Sequence, residues 1–89
     1  MNTRKIILAF LAERYPAAYT ADVITQRINS SGYLDTPTTA DAVLRELRTL
    51  TTKHQHVDLM VDDYGVQHWG ATNAGVRAWA LEGSLSIGG

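Results

Sequence analysis

The apolar residues of this chain change their spacing near Val57, and this change limits the possible folds more than any other feature. Before Val57 they recur every three to four residues in three segments, as on the buried side of an α-helix. From Val57 onwards, Val57, Leu59 and Val61 alternate with Asp58 and Met60, as in a β-strand. We therefore expect helices in the first part of the chain and a β-hairpin after them.

Two helices are predicted before residue 32. The first covers Thr3 to Arg14, with one apolar stripe that runs through Ile6, Ile7, Phe10 and Leu11 and ends at Arg14. It ends before Pro16 because the residue preceding a proline is driven out of the helical conformation. The second follows Thr20, a favourable N-cap, and stops at the segment Ser30–Gly32.

A third helix is predicted from Pro37 to Thr52. Thr36 provides a capping hydroxyl, and proline is favoured at the first helical position. The buried side of this helix is marked by apolar residues over roughly four turns. They are Ala40, Val43, Leu44, Leu47 and Leu50.

The second half of the chain is predicted to form a hairpin and a last helix. The segment Asp62–Gly65 is typical of a turn, and Val66–Trp69 returns as the second strand, with His68 opposite Leu59. Thr72 caps the last helix. Its inward side chains are Val76, Trp79 and Ala80.

The predicted fold is mainly α with a small β-hairpin, in the order α-α-α-β-β-α. We expect residues 1–82 to form one domain, since 89 residues are too few for two cores, and residues 83–89, rich in glycine and serine, to form a flexible tail. The chain has no cysteine, which excludes disulfide frameworks, thiol nucleophiles and iron–sulfur clusters. The longest apolar run, residues 6–12, is far shorter than a membrane span, so we expect a cytoplasmic protein with no membrane contact.

In this order of elements the chain resembles a winged helix-turn-helix domain of the PadR or MarR regulator type, over about residues 4–82. Three segments carry the resemblance: Thr20–Ile28 as the second helix, Thr38–Leu47 as the recognition helix, and His68–Gly75 as the exit from the wing. The resemblance implies a small DNA-binding regulator of transcription. A lone domain of this size fits a regulator encoded by a phage or another mobile element.

If the helix at residues 37–52 enters a major groove, its side opposite Val43, Leu47 and Leu50 faces the DNA. Arginine reads guanine edges in a bidentate manner, and threonine hydroxyls reach phosphates or bases. By resemblance, Arg45 and the first turns lie nearest the bases. The predicted DNA-binding residues are Thr38, Thr39, Ala42, Arg45, Arg48, Thr49, Thr52 and Lys53.

The alternative for this helix is an ordinary solvated face. Asp41 and Glu46 lie close enough to Arg45, by helical spacing, to pair with it.

Charge is distributed unevenly along the chain, whose formal net charge is −1. Residues 1–14 carry three basic and one acidic side chain, a net of +2, and residues 36–54 carry three basic and two acidic ones, a net of +1. Residues 55–70 contain Asp58, Asp62 and Asp63 and neither lysine nor arginine, a net of −3. A wing that holds phosphate normally presents basic groups, so this hairpin favours a second hypothesis. In that hypothesis the domain is a protein-interaction or inhibitor module that does not bind DNA, and its acidic wing faces a protein partner.

The remaining candidate sites point to no enzyme, cofactor or metal. His54, His56 and His68 are the only candidate metal ligands, and the predicted pairing places His68 on the other face of the hairpin from His56. Asp62 and Asp63 are interpreted as turn residues rather than as an acid–base pair. Trp79 either completes the core or forms a homodimer interface on the last helix.

Overall fold

The chain forms seven elements in the computed structural model, which describes residues 2–82. Within this range there are four helices and a three-stranded antiparallel sheet in the order β1-β3-β2, which makes a mixed α/β domain. The predicted tail, residues 83–89, lies outside the described residues. The elements are α1 (Thr3–Glu13), β1 (Ala18–Tyr19), α2 (Ala21–Asn29), α3 (Ala40–Thr52), β2 (Val57–Val61), β3 (Gln67–Ala71) and α4 (Asn73–Leu81).

Helix α1 lies at the centre of the domain. Every side chain from Ile6 to Ala12 is buried, and α1 packs against the three other helices and β3. The prediction of a single apolar stripe was therefore wrong, because neighbours cover this helix on all sides. No helix in residues 2–82 is both long enough and apolar enough to cross a membrane.

Strand β1 was missed by the sequence analysis, so the predicted order α-α-α-β-β-α lacks one element. Ala18 and Tyr19 pair with Gly70 and Trp69 of β3. Tyr19 also packs on Phe10 of α1, with the ring centroids 5.2 Å apart. A two-residue strand has no detectable periodicity, and its partner lies about fifty residues further along the chain.

Helix α3 begins three residues later than predicted. Its N-cap is Thr39, whose hydroxyl accepts a hydrogen bond from the Ala42 amide at 3.2 Å. The favourable pair Thr36 and Pro37 lies outside the helix.

The side chain of Asn29 explains this delay. Its Oδ1 accepts from the Thr38 amide at 2.9 Å, and its Nδ2 donates to the Thr38 carbonyl at 3.0 Å. Both backbone polar groups of Thr38 are thereby bonded to the end of α2, and the carbonyl is withheld from the bond that it would accept from Ala42 in a helix starting at Pro37. A contact between residues nine positions apart thus sets the start of α3.

The hairpin, formed by β2, the turn and β3, is shifted by one position from the predicted pairing. His68 pairs with Met60, whereas Leu59 pairs with Trp69. The turn is longer than expected: the Asp62 amide bonds to the Val66 carbonyl, and Gly65 takes a positive φ of 79°. A loop of three residues centred on Tyr64 therefore replaces the predicted centre between Asp63 and Tyr64.

Helix α4 closes the domain from the other side of α1. Thr72 caps it as predicted, with its hydroxyl accepting from the Gly75 amide at 3.0 Å. Val76 and Trp79 pack against the core. Ala80 is exposed, so its predicted inward position was wrong.

Candidate functional site

One side of α3 is exposed and predominantly basic. Val43, Leu47 and Leu50 are fully buried on the opposite side. We call the exposed side the α3 face. It comprises Asp41, Arg45, Arg48, Thr52 and Lys53, that is, three cations and one carboxylate.

The eight predicted site residues occupy three kinds of position. Thr38 and Thr39 precede the helix and belong to its capping segment. Ala42 and Thr49 are half-buried, whereas the four remaining residues are exposed on the α3 face. The structure therefore places all eight along one side of α3 and the segment leading into it.

A shallow groove of about 340 Å³ lies beside the N-terminal half of α3. Its lining includes four of the predicted residues, namely Thr38, Ala42, Arg45 and Thr49. Thr3 and Glu46 complete the groove. Thr3 is not among the predicted residues, since no pattern in the sequence indicates that the start of α1 lies next to α3.

Glu46 is paired with α1 and not with its neighbour on α3. Its Oε1 accepts from Arg4 Nη2 at 3.2 Å and from Arg4 Nε at 3.3 Å. Arg45 and Arg48 form no ion pair with any residue between 2 and 82. The predicted pairing of Arg45 with Asp41 and Glu46 is therefore wrong, and the guanidinium donors of both arginines remain open to solvent or to a ligand.

The threonine hydroxyls of α3 are already used as donors. Thr49 Oγ1 donates to the Arg45 carbonyl at 3.2 Å, and Thr52 Oγ1 donates to the Arg48 carbonyl at 2.8 Å. A hydroxyl has only one proton, so in these rotamers both threonines can accept but cannot donate to a phosphate oxygen. Arg45, Arg48 and Lys53 are thus the predicted residues best suited to bind an anion.

The hairpin differs from the α3 face in charge and in polarity. Its three aspartates are exposed, and so are the apolar side chains from Leu59 to Val61 of β2, together with Tyr64 and Val66. Tyr64 at the tip is 92% exposed. The hairpin surface therefore combines carboxylates with exposed apolar side chains. Its carboxylates would repel the phosphates of a nucleic acid.

Asp62 holds the turn of the hairpin. Its Oδ1 accepts from the Tyr64 amide at 2.8 Å and the Val66 amide at 2.9 Å, while Oδ2 lies 3.1 Å from His68 Nε2. The Val66 hydrogen bond, followed by the His68 contact, lowers the pKa of Asp62 from its usual 3.8. Asp62 is therefore a structural turn residue, as the sequence analysis predicted.

The histidines separate into two groups. The rings of His54 and His56 stack with centroids 5.5 Å apart, whereas His68 contacts Asp62 at the turn. Residues 2–82 contain no group of three His, Cys, Asp or Glu side chains arranged to hold a metal ion. A cavity of about 180 Å³ lies beside His54 and His56 and is also lined by Arg4 and Lys5.

The described part of the chain thus presents two contrasting surfaces, the basic α3 face and the acidic, apolar hairpin. Between them lie the buried sides of α3 and β2, which contribute Val43, Leu47, Leu50 and Val57 to a common core. No family model matches this chain, and neither does any curated protein or solved structure.

Proposed function

We propose that this protein is a small DNA-binding regulator of the winged-helix type that places α3 in the major groove. Two features of the fold support this proposal. Helices α2 and α3 pack against each other, and the hairpin follows α3 directly in the chain.

The observation that carries the proposal is the open basic side of α3. Arg45, Arg48 and Lys53 are exposed, and the described residues leave both arginines without an ion-pair partner. An exposed helix whose cations are not neutralised within the protein is suited to the phosphates and base edges of a duplex. The Arg4–Glu46 pair contributes by engaging the carboxylate that follows Arg45 in the sequence.

The residues of the α3 face would have different roles. Arg45 borders the groove near the start of α3 and would read a guanine edge. Arg48 lies one turn further along, and Lys53 follows the last turn, so both would contact the backbone. The hairpin would stay away from the DNA because its tip carries Asp62 and Asp63.

The test is fluorescence anisotropy of a labelled duplex of random sequence, titrated with the protein at about 50 mM and about 200 mM salt. Binding should weaken by orders of magnitude between these two concentrations if several phosphates are contacted. Lys53→Ala should weaken binding evenly on all sequences and flatten the salt dependence. The absence of duplex binding at low salt would refute the proposal.

If Arg45 contacts a base, the loss of affinity caused by Arg45→Ala should depend on the sequence of the duplex. On a duplex selected for tight binding, Arg45→Ala should weaken binding by about tenfold or more, since a bidentate contact contributes about 1–3 kcal/mol. Arg77→Ala is the matched control, because Arg77 is an exposed arginine on α4. Equal losses from Arg45→Ala on selected and random duplexes would contradict the assigned base contact.

The hairpin supports a second candidate function, a protein-interaction or inhibitor module that does not bind DNA. The specific observation is that the acidic side chains of the hairpin are accompanied by exposed apolar ones, among them Tyr64. Loss of a protein partner on charge reversal of Asp63, together with no duplex binding at low salt, would favour this candidate.

A further inference from the structure

Strand β2 is an outer strand of the sheet. The strand order β1-β3-β2 leaves one side of β2 without a neighbouring strand in residues 2–82. Three consecutive residues of β2 are also exposed: Leu59 to 39%, Met60 to 45% and Val61 to 58%. The strand thus combines an open edge with a short apolar surface.

The hydrogen bonds at the two ends of the hairpin show which backbone groups face this edge. At one end the Thr72 amide bonds to the His56 carbonyl, and at the other the Asp62 amide bonds to the Val66 carbonyl. Hydrogen-bonded and non-bonded positions alternate in an antiparallel pair. The even-numbered residues of β2 therefore bond inwards to β3.

By the same alternation, the N–H and C=O groups of Leu59 and Val61 point outwards. None of these groups has a backbone hydrogen-bond partner elsewhere in the described chain. Val57 points the same way but is fully buried. The accessible edge therefore offers two donors and two acceptors, enough for four hydrogen bonds to an added strand.

The features that usually protect an outer strand are missing from β2. Such strands commonly carry lysine, proline or a bulge, which discourage pairing with another chain. Strand β2 has the sequence Val-Asp-Leu-Met-Val and pairs with β3 in continuous register. Its one charged residue is Asp58, and Asp62 and Asp63 follow at its end.

We propose that β2 binds an extended segment of a partner protein, in which basic and apolar side chains alternate, as an additional strand. The charge of the hairpin selects this occupant: its three aspartates, with no lysine or arginine between residues 55 and 70, complement basic side chains. The outward N–H and C=O groups of Leu59 and Val61 would bond to the backbone of the added strand, and this part of the affinity does not depend on the side chains of the partner. The inference rests on the second candidate function and gives it a binding mode.

A second copy of this chain fits the edge less well. Pairing β2 with its own copy would bring together two hairpins that each carry a net charge of −3. Like charges brought to one interface oppose association. Self-association through β2 is therefore an outcome that would overturn the proposal.

The test uses three fluorescein-labelled peptides with the intact protein. The first alternates lysine and valine over six residues, the second has glutamate in place of lysine, and the third keeps lysine but is N-methylated at alternate residues, which removes the donors that face β2. We expect binding of the first peptide, and binding at least about tenfold weaker for the other two, because one loses charge complementarity and the other loses backbone bonds.

Protein variants locate the binding surface. The double variant Asp58→Asn/Asp63→Asn should weaken binding of the lysine peptide about fivefold, and neither carboxylate forms an ion pair within residues 2–82. Asp41→Asn on the α3 face is the matched control and should leave binding unchanged. Arg45→Ala should also leave it unchanged, which separates this inference from DNA binding by α3.

Each other result overturns the inference in a distinguishable way. Equal binding of the N-methylated and unmodified lysine peptides would leave an acidic binding surface but exclude strand addition. No binding of any peptide would exclude both strand addition and a basic peptide as the partner of the hairpin. Dimerisation of the protein alone in analytical ultracentrifugation, abolished by Val61→Asp, would assign the edge to a second copy.

Discussion

The fold requires a residue without a Cβ atom at position 75, where the sequence has glycine. A Cβ atom at this position would collide with the carbonyl oxygen of His56, which the first turn of α4 crosses. Two hydrogen bonds from Thr72 fix this close approach. Its amide donates to the His56 carbonyl, and its hydroxyl donates to the Gln55 carbonyl. The conflicting atoms are backbone on both sides, so a rotamer change cannot relieve the clash.

We expect Gly75→Ala to lower the free energy of unfolding by about 1–3 kcal/mol, as overpacking does. In a helix with free space at this position, the same change would raise the free energy of unfolding by about 1 kcal/mol. The sign of the change therefore shows whether a Cβ atom at position 75 meets the His56 carbonyl. The neighbouring change Ala74→Gly is the control, because Ala74 is exposed and should lose only its helix propensity. Urea unfolding measures both variants. A more stable Gly75→Ala protein would show that the contact with His56 is absent in solution.

The carboxylate of Asp62 makes the stability of the hairpin depend on pH. Its pKa is lowered in the folded state, chiefly by the Val66 amide and then by His68, so folding favours its charged form. The resulting stabilisation is fully present above the unfolded-state pKa, near 3.8, and is lost as the pH falls through the lower, folded-state pKa.

We therefore expect the unfolding free energy to fall as the pH drops below about 4. Asp62→Asn should reduce this dependence, whereas Asp63→Asn should retain it, since no hydrogen bond joins Asp63 to another side chain in residues 2–82. Denaturant unfolding across this pH range measures the effect. An unchanged slope in the Asp62→Asn protein would contradict the role of Asp62 in the turn.

At the scale of elements, the start of α3 depends on a choice between two threonines. Thr36 followed by Pro37 is the better local signal, yet Thr39 forms the cap. The choice follows from Asn29, which binds both backbone polar groups of Thr38. The position of the first turn of α3, and with it that of Arg45, therefore depends on the end of α2.

The two threonines should respond differently to truncation. Thr39→Ala removes the hydroxyl that accepts from Ala42 and should lower the unfolding free energy by about 1 kcal/mol. Thr36→Ala should have little effect, because Thr36 is exposed and lies outside the helix. Thermal or urea unfolding of the two variants gives the comparison. A larger loss for Thr36→Ala would place the helix start at Pro37.

At the scale of the whole molecule, α1 is the helix around which the other elements are arranged. Leu8, Ala9 and Ala12 lie outside the apolar stripe predicted for this helix, yet each of them is at most 6% exposed. Their burial is consistent with the packing of α1 against four elements, α2, α3, α4 and β3, rather than against one neighbour.

We expect Leu8→Ala to lower the unfolding free energy by about 2–5 kcal/mol, the range for a large-to-small change in a core. Leu81→Ala is the same chemical change at a position that is 88% exposed, and it should alter stability by less than about 0.5 kcal/mol. Denaturant unfolding of the two variants measures the difference. Similar losses in both would show that α1 is not covered on this side.

Several parts of the fold could be predicted from the sequence because local signals determine them. The caps Thr20 and Thr72 and the buried side of α3 follow from side-chain chemistry and helical spacing, and the structure confirms them. The exposed positions of Arg45 and Arg48 follow from the same spacing, since they lie opposite Val43 and Leu47. Their role in binding DNA stays a prediction.

The sequence by itself thus determined the helical segments, the presence of a hairpin and the charges that each element carries. Periodicity and capping act within a few residues, and a single chain is enough to read them. The tertiary structure decided the pairing of β1 with β3, the clamp of Asn29 on Thr38 and the partner of Glu46. Each of these contacts joins residues between nine and about fifty positions apart, so its energy depends on packing that no local pattern specifies. The same packing left the basic α3 face and the acidic, apolar hairpin exposed.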